Sequence, residues 1–157
     1  MRNRLTPLIL LTILVAVPIE GQVTGRNAIE QVLTDFAVAF NVKDAAKLTS
    51  FYAEDAVLMP PGSPVVKGQP AIKSAFMAMV ARGGVVKFNA PLAIEVTGDR
   101  ALAAGTYTVT VSVPGSQAAG GSGSLMIAAK YLTVFKRVGN DWKIVYDMQN
   151  GDEAAPR

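Results

Sequence analysis

Side chains able to do acid-base or nucleophilic chemistry are few, because the 157 residues include no His and no Cys. One acidic pair, Glu54 and Asp55, lies in FYAEDAVL, just before an apolar run that stops at Pro60-Pro61-Gly62. A carboxylate at a helix-to-strand corner can accept backbone N–H bonds while remaining solvated, so turn chemistry explains such a pair without catalysis. We expect Glu54 and Asp55 to have a structural role at this corner.

Asp147 is the more promising carboxylate. On a predicted last strand it shares a face with Val145 and Gln149, while Tyr131 and Thr133 share a face of the neighbouring strand. Burial beside aromatic rings would raise the pKa of Asp147 and suit it to proton transfer near neutral pH. Tyr131, or Tyr107 on another strand, could then stabilise developing negative charge. The alternative is a structural role for Asp147, as a buried carboxylate that accepts a bond from a tyrosine hydroxyl.

Several function classes are disfavoured by composition. Serine triads lack a His, and the carboxylates show no calcium-loop spacing, so we expect no metal and no cofactor. The net charge is +3, but the basic residues are scattered rather than clustered, which argues against a nucleic-acid partner. The Gly-rich stretch 115–124 lacks the lysine and helix of a phosphate-binding loop and is predicted to be a flexible loop.

The first 21 residues have the pattern of a secretory signal peptide. Two arginines precede the uncharged run 5–17, which is shorter than the roughly 20 residues of a membrane-spanning helix. Cleavage after Gly21 is the prediction, and cleavage after Ala16 is the alternative. We therefore expect a periplasmic or secreted protein with no stable membrane anchor after cleavage, held together without disulfides.

Hydrophobic spacing predicts three helices in the first half of the mature chain. The first has a capping-box-like start at Asn27 and runs to Asn41. The second is capped by Asp44 and includes Tyr52 on its apolar side. The third begins at Pro70, since proline is tolerated in the first turn of a helix.

The second half changes to a period of two, which is typical of strands. A short strand is predicted at 56–59, and from residue 85 onward alternating residues predict a meander with turns at Gly98-Asp99 and Gly139-Asn140. Helices followed by antiparallel strands predict a single α+β domain over residues 22–157, with three N-terminal helices packed in a strongly curved, mostly antiparallel sheet.

Three stretches carry a family resemblance: AFNVKDAAKLTSFYAEDAVL (39–58), PGSPVVKGQPAI (61–72) and KYLTVFKRVGNDWKIVYDMQN (130–150). In order and spacing they resemble the SnoaL-like and ketosteroid-isomerase-like proteins of the nuclear-transport-factor-two-like superfamily. The resemblance implies a cone-shaped α+β barrel that encloses a pocket, with the inner face of the last strand directed into it. It also implies a homodimer formed through the sheet.

The resemblance does not extend to ketosteroid isomerase chemistry. The general-base aspartate of those enzymes falls on Met59 or Pro60, and their oxyanion-donating tyrosine falls on Phe36. None of these three side chains can transfer a proton or donate a hydrogen bond. Only the third polar group of that site has a possible counterpart, close to Tyr131. Because the base and the tyrosine are both missing, we expect no ketosteroid isomerase activity.

The prediction for function is an exported SnoaL-like domain that binds a small, mostly apolar molecule and forms a homodimer. A cofactor-independent isomerase, cyclase or hydrolase with Asp147 as acid or base is the first alternative. A protein-association module that uses the exposed sheet face is the second. The predicted pocket consists of Phe36, Phe40, Tyr52, Met59, Phe76, Tyr107, Tyr131, Thr133, Asp147 and Gln149.

Overall fold

The structure is a computed structural model and describes residues 19–113 and 123–152. Most of the predicted signal peptide, and all but the last two residues of the loop predicted at 115–124, lie outside these described residues. Within the described residues, no helix is both long enough and apolar enough to cross a membrane.

Three helices precede most of the strands, as the hydrophobic spacing predicts. They are α1 (Ile19–Asn41), α2 (Ala45–Ser50) and α3 (Gln69–Ala81). The predicted start of the first helix at Asn27 is wrong, because α1 begins eight residues earlier, directly after Pro18. The extra turns pack on the sheet: a Cβ added at Gly25 would lie 2.8 Å from Cγ1 of Val96, so glycine permits this close approach.

The second helix is shorter than predicted. Asp44 caps it as expected, with its carboxylate accepting a hydrogen bond from the backbone N–H of Lys47 at 2.8 Å. Tyr52, predicted on this helix, is instead the first residue of a strand. Glu54 and Asp55 therefore lie within that strand, exposed, rather than at a helix-to-strand corner. Helical spacing from Leu48 to Tyr52 misled the prediction because strand pairing takes over at Tyr52.

The strands form one open, curved seven-stranded sheet. They are β1 (Tyr52–Met59), β2 (Val66–Lys67), β3 (Val85–Phe88), β4 (Ala93–Thr97), β5 (Arg100–Val113), β6 (Gly123–Val138) and β7 (Asp141–Gly151). Their order is β2-β1-β7-β6-β5-β3, and β4 also pairs with β5. All the pairings are antiparallel except that of β1 with β7. The predicted α+β class and mostly antiparallel sheet are confirmed.

The core lies between the helices and the inner face of the sheet. Alternate residues of β5 and β6 are buried on this face, including Tyr107 and Tyr131. Asn41, at the end of α1, fixes the helix to the sheet: its side-chain amide donates to the carbonyl of Val86 at 3.0 Å and accepts from the N–H of Val86 at 2.8 Å. The helix end is therefore held against β3, whose residues Val86 and Phe88 line a cleft.

Candidate functional site

Asp147 lies on the inner face of β7, 4% exposed, and accepts three side-chain hydrogen bonds. The hydroxyl of Tyr52 donates to Oδ2 at 2.6 Å, and the side-chain amide of Gln149 donates to the same oxygen at 3.1 Å. The hydroxyl of Thr133 donates to Oδ1 at 3.1 Å. A tyrosine hydroxyl therefore bonds to the buried carboxylate, as expected if Asp147 has a structural role. The donor is Tyr52, which was predicted to be a pocket residue.

Burial dominates the ionisation of this group. Desolvation raises the pKa of Asp147 above its ordinary value, although the three hydrogen bonds from Tyr52, Thr133 and Gln149 lower it in part. Burial, and then the charge of Asp147, raise the pKa of Tyr107 and of Tyr131 to about 12. The tyrosines therefore remain hydrogen-bond donors at neutral pH, while Asp147 takes up a proton more readily than an exposed aspartate.

A β-bulge decides which residues of β7 face inward. Ile144 pairs with Phe135 and Tyr146 pairs with Val134, so Val145 is one extra residue on β7. Before the bulge Ile144 is buried, and after it the buried position moves to Asp147. Strict alternation from Ile144 would have buried Tyr146 instead, which is 52% exposed. The predicted shared face of Asp147 with Val145 is therefore wrong, and that with Gln149 holds.

A small cavity of about 20 Å³ lies against Asp147, Tyr131 and Thr133. The Tyr131 hydroxyl is buried and has no hydrogen-bond partner among the described residues. A cavity of this size has room for one water molecule, which could satisfy that hydroxyl. Small residues on the inner face make the space for the ring: a Cβ on Gly105 would lie 2.6 Å from the Tyr131 oxygen.

A larger cleft of about 390 Å³ adjoins this cavity. The two share Phe36, Phe88, Tyr107 and Gln149 as lining residues. The Tyr107 hydroxyl donates to Oε1 of Gln149 at 3.3 Å, so this pair forms a polar group in walls that are otherwise largely aromatic and aliphatic. The cleft is within the size range of small-molecule sites.

Most of the predicted pocket residues come together here. Phe40 and Phe76 line the cleft, while Tyr131, Thr133 and Asp147 line the small cavity. Met59 and Tyr52 are the exceptions, since neither belongs to the residues that line the cleft or the small cavity. Met59 is half-buried at the end of β1, and Tyr52 is buried at its start. The catalytic-aspartate position of ketosteroid isomerases was expected to fall on Met59 or Pro60, and of these two residues Pro60 lines the cleft.

The sequence prediction missed several lining residues, of which Phe88 and Arg82 matter most for the chemistry of the site. Phe88 lines both cavities, and its ring centroid lies 5.3 Å from that of Tyr131 and 5.5 Å from that of Tyr107. Alternation in VVKF, which places Val86 and Phe88 on one face, was the available signal. Arg82, directly after α3, lines the cleft as well, and no sequence pattern marked it.

Other acidic residues do not form a second site in the described part of the chain. Glu54 and Asp55 are exposed on β1. Within residues 19–113 and 123–152, no group of three or more acidic side chains is arranged to hold a metal ion.

The open curved sheet, the N-terminal helices and the cavity between them form an α+β cone, the fold of the nuclear-transport-factor-two-like proteins. Within that class, residues 21–146 match the SnoaL-like domain family, and the chain belongs to this family. No curated protein matches the chain.

Solved structures share the fold at low sequence identity. A protein of unknown function from Mycobacterium tuberculosis is 20% identical, with a TM-score of 0.76, covering 88% of this chain and 78% of that one. A nuclear-transport-factor-two-like protein from Salmonella enterica is 15% identical, with a TM-score of 0.72 and coverage of 85% and 95%. A hexachlorocyclohexane dehydrochlorinase is 17% identical, with a TM-score of 0.71 and coverage of 86% and 90%. At these identities the likeness establishes the fold alone.

Proposed function

We propose that this SnoaL-like protein is an exported domain that binds a small, mostly apolar molecule in the cleft beside Asp147. The observation that carries the proposal is the cleft of about 390 Å³, whose largely aromatic and aliphatic walls include the hydrogen-bonded pair Tyr107 and Gln149. Binding sites for small molecules combine mostly apolar walls with a few polar groups that fix orientation. Export rests on the signal-peptide pattern of residues 1–21.

The walls would supply affinity and the polar pair would supply orientation. Burying apolar surface contributes about 25 cal/mol per Å² removed from water. The Tyr107–Gln149 hydrogen bond of 3.3 Å is long, so either group can exchange it for a hydrogen bond to a ligand oxygen or nitrogen at little cost. The ligand is therefore expected to have an apolar body with at least one hydrogen-bonding group.

The test is native mass spectrometry of protein expressed from the full-length gene in an exporting host. The expected result is a chain shortened near residue 21 that retains a small molecule, which denaturation releases chemically unchanged. A full-length chain from the exported fraction would contradict the signal peptide. A protein that retains nothing and gains no mass from a panel of apolar compounds would contradict the binding proposal.

Catalysis is the second candidate, favoured by the buried carboxylate with a raised pKa. Beside it lies the Tyr131 hydroxyl, for which the described residues offer no hydrogen-bond partner. Asp147 would transfer a proton, and Tyr131 would donate a hydrogen bond to the oxygen that gains charge. A structural neighbour named as a dehydrochlorinase indicates that this fold can host elimination chemistry. Release of a chemically altered molecule in the same experiment, lost in Asp147→Asn, would favour catalysis over binding.

We also propose a homodimer formed through the outer face of the sheet. Leu132 and Met148 are cross-strand partners on β6 and β7 and are 40% and 47% exposed, and Tyr146, beside them, is 52% exposed. Contiguous exposed apolar side chains on a sheet are typical of association surfaces.

Sedimentation measurements are expected to give twice the monomer mass, and Met148→Lys is expected to shift the protein to monomer, because a charge would be buried in the contact. Val42→Lys is the control, since Val42 is 67% exposed in the turn after α1. A wild-type monomer at micromolar concentration would exclude this assembly.

A further inference from the structure

Arg82 is the charged side chain of the cleft. It follows the last residue of α3 and is exposed. Its backbone N–H donates to the carbonyl of Met79 at 3.2 Å, and the N–H of Gly83 donates to the carbonyl of Val80 at 3.2 Å. None of the ion pairs found among the described residues includes Arg82. Its guanidinium therefore has no acidic partner there, although it lines a largely apolar cleft.

The rest of the cleft wall is electrically neutral. Among the described lining residues there is no Asp, Glu or Lys, and the polar side chains other than Arg82 are Ser63, Tyr107 and Gln149. A cation beside apolar walls favours a ligand that is itself divided into an apolar part and an anionic part.

The buried carboxylate of Asp147 lies far along the sheet from Arg82. Asp147 pairs with Thr133, which pairs with Ala103 of β5, whereas Val85, just after Arg82, pairs with Thr110. Gln149 lines both the cleft and the small cavity, and its amide donates to the buried carboxylate of Asp147. A ligand anion placed at the end near Asp147 would face a second carboxylate in surroundings of low dielectric, where like charges repel strongly. A ligand bound in the reverse orientation would place its anionic group beside Arg82, close to solvent. These two charges therefore favour an anionic ligand in one orientation.

We propose that the cleft binds an amphipathic anion, with the apolar body against the aromatic walls and one carboxylate or similar group paired with Arg82 at the exposed end. This inference rests on the proposed ligand-binding function and specifies its ligand class. The alternative is that Arg82 only stabilises the end of α3, where a positive side chain interacts favourably with the last carbonyls. The two roles differ in their effect on ligand affinity.

Two probes that differ in charge separate these roles. Naphthylacetate and the uncharged naphthylacetamide share an apolar body of a size the cleft can hold, and calorimetric titration gives the affinity for each. The wild-type protein is expected to bind the anion about fivefold to tenfold more tightly, as a charge-assisted hydrogen bond at a partly exposed site allows. Arg82→Gln is expected to remove that preference while leaving the affinity for naphthylacetamide unchanged.

Arg82→Lys keeps the charge and is expected to retain part of the preference. The matched control is Lys87→Gln, which removes the same charge from an exposed position on β3 that lies outside the cleft lining. This control is expected to bind both probes as the wild type does. Thermal unfolding of each variant shows whether the fold is intact.

Equal binding of the two probes, or a preference that survives in Arg82→Gln, would overturn the inference while leaving the proposed binding function in place. Binding of neither probe by the folded wild-type protein would contradict the binding function, and the inference with it. A preference lost in both Arg82→Gln and Lys87→Gln would reflect net charge alone and would also overturn it.

Discussion

Replacing Asp147 by alanine is expected to lower the free energy of unfolding by about 2–4 kcal/mol. The hydroxyls of Tyr52 and Thr133, both buried, would lose their acceptor. Each buried donor left unsatisfied costs about 1–3 kcal/mol, and removing a buried charge offsets part of the sum. Gln149 is only half-buried and can turn to other partners. Urea denaturation monitored by Trp142 fluorescence gives the measurement.

Asp147→Asn is the matched variant, since it keeps the shape and one acceptor oxygen. We expect it to lose less stability than the alanine variant does, because the Tyr52 and Thr133 hydroxyls can rotate to accept a hydrogen bond from its amide. If alanine at position 147 changed the free energy of unfolding by less than about 0.5 kcal/mol, the hydrogen-bonded network would not be contributing to stability.

The difference in stability between the wild type and Asp147→Asn should depend on pH. Because burial raises the pKa of Asp147 above the ordinary 3.8, the folded protein binds this proton more tightly than the unfolded chain does. The stability contributed by Asp147 is then fully present below about pH 4 and is lost as the pH rises through the raised pKa. The stability of the wild type relative to Asp147→Asn is expected to fall over that range. If the stability of the wild type relative to Asp147→Asn rose with pH, the pKa of Asp147 would be lowered in the folded protein instead.

Replacing Phe36 by alanine is expected to cost about 3–5 kcal/mol, the typical loss for a buried phenylalanine. Phe36 lies on α1, is 8% exposed, and packs against four rings. Their centroids lie 5.8 to 6.4 Å away, and they belong to Phe51, Tyr52, Phe76 and Phe88. These contacts join the helices to the sheet, so their loss also removes the wall that the cleft and the small cavity share.

Thermal and urea unfolding measure this effect, and a drop in melting temperature of roughly 10 °C is expected. Val38→Ala is the control, because Val38 lies on the same helix but is 57% exposed, and it should change stability by no more than about 0.5 kcal/mol. Equal effects of the two substitutions would show that Phe36 is not central to the core.

The local pattern of the sequence predicted most of the fold. The third helix, the hairpin turn at Gly98-Asp99 and the long antiparallel strands follow from residue spacing, since each period reflects one buried face. The boundaries were less predictable. The start of α1 depends on packing at Gly25, and the end of α2 depends on the pairing of Tyr52 with Ile144, contacts between residues far apart in the chain.

For the candidate site, the sequence by itself determined the available chemistry: no His, no Cys, and one aspartate on a strand next to Tyr131 and Thr133. Only the tertiary structure decided that Asp147 faces inward, because the extra residue at Val145 shifts the alternation of β7 by one position. It also placed Phe88 and Arg82 in the cleft and Met59 outside it. The sequence specifies which side chains each strand contains, whereas bulges and cross-strand pairing specify which face of the sheet each side chain is on.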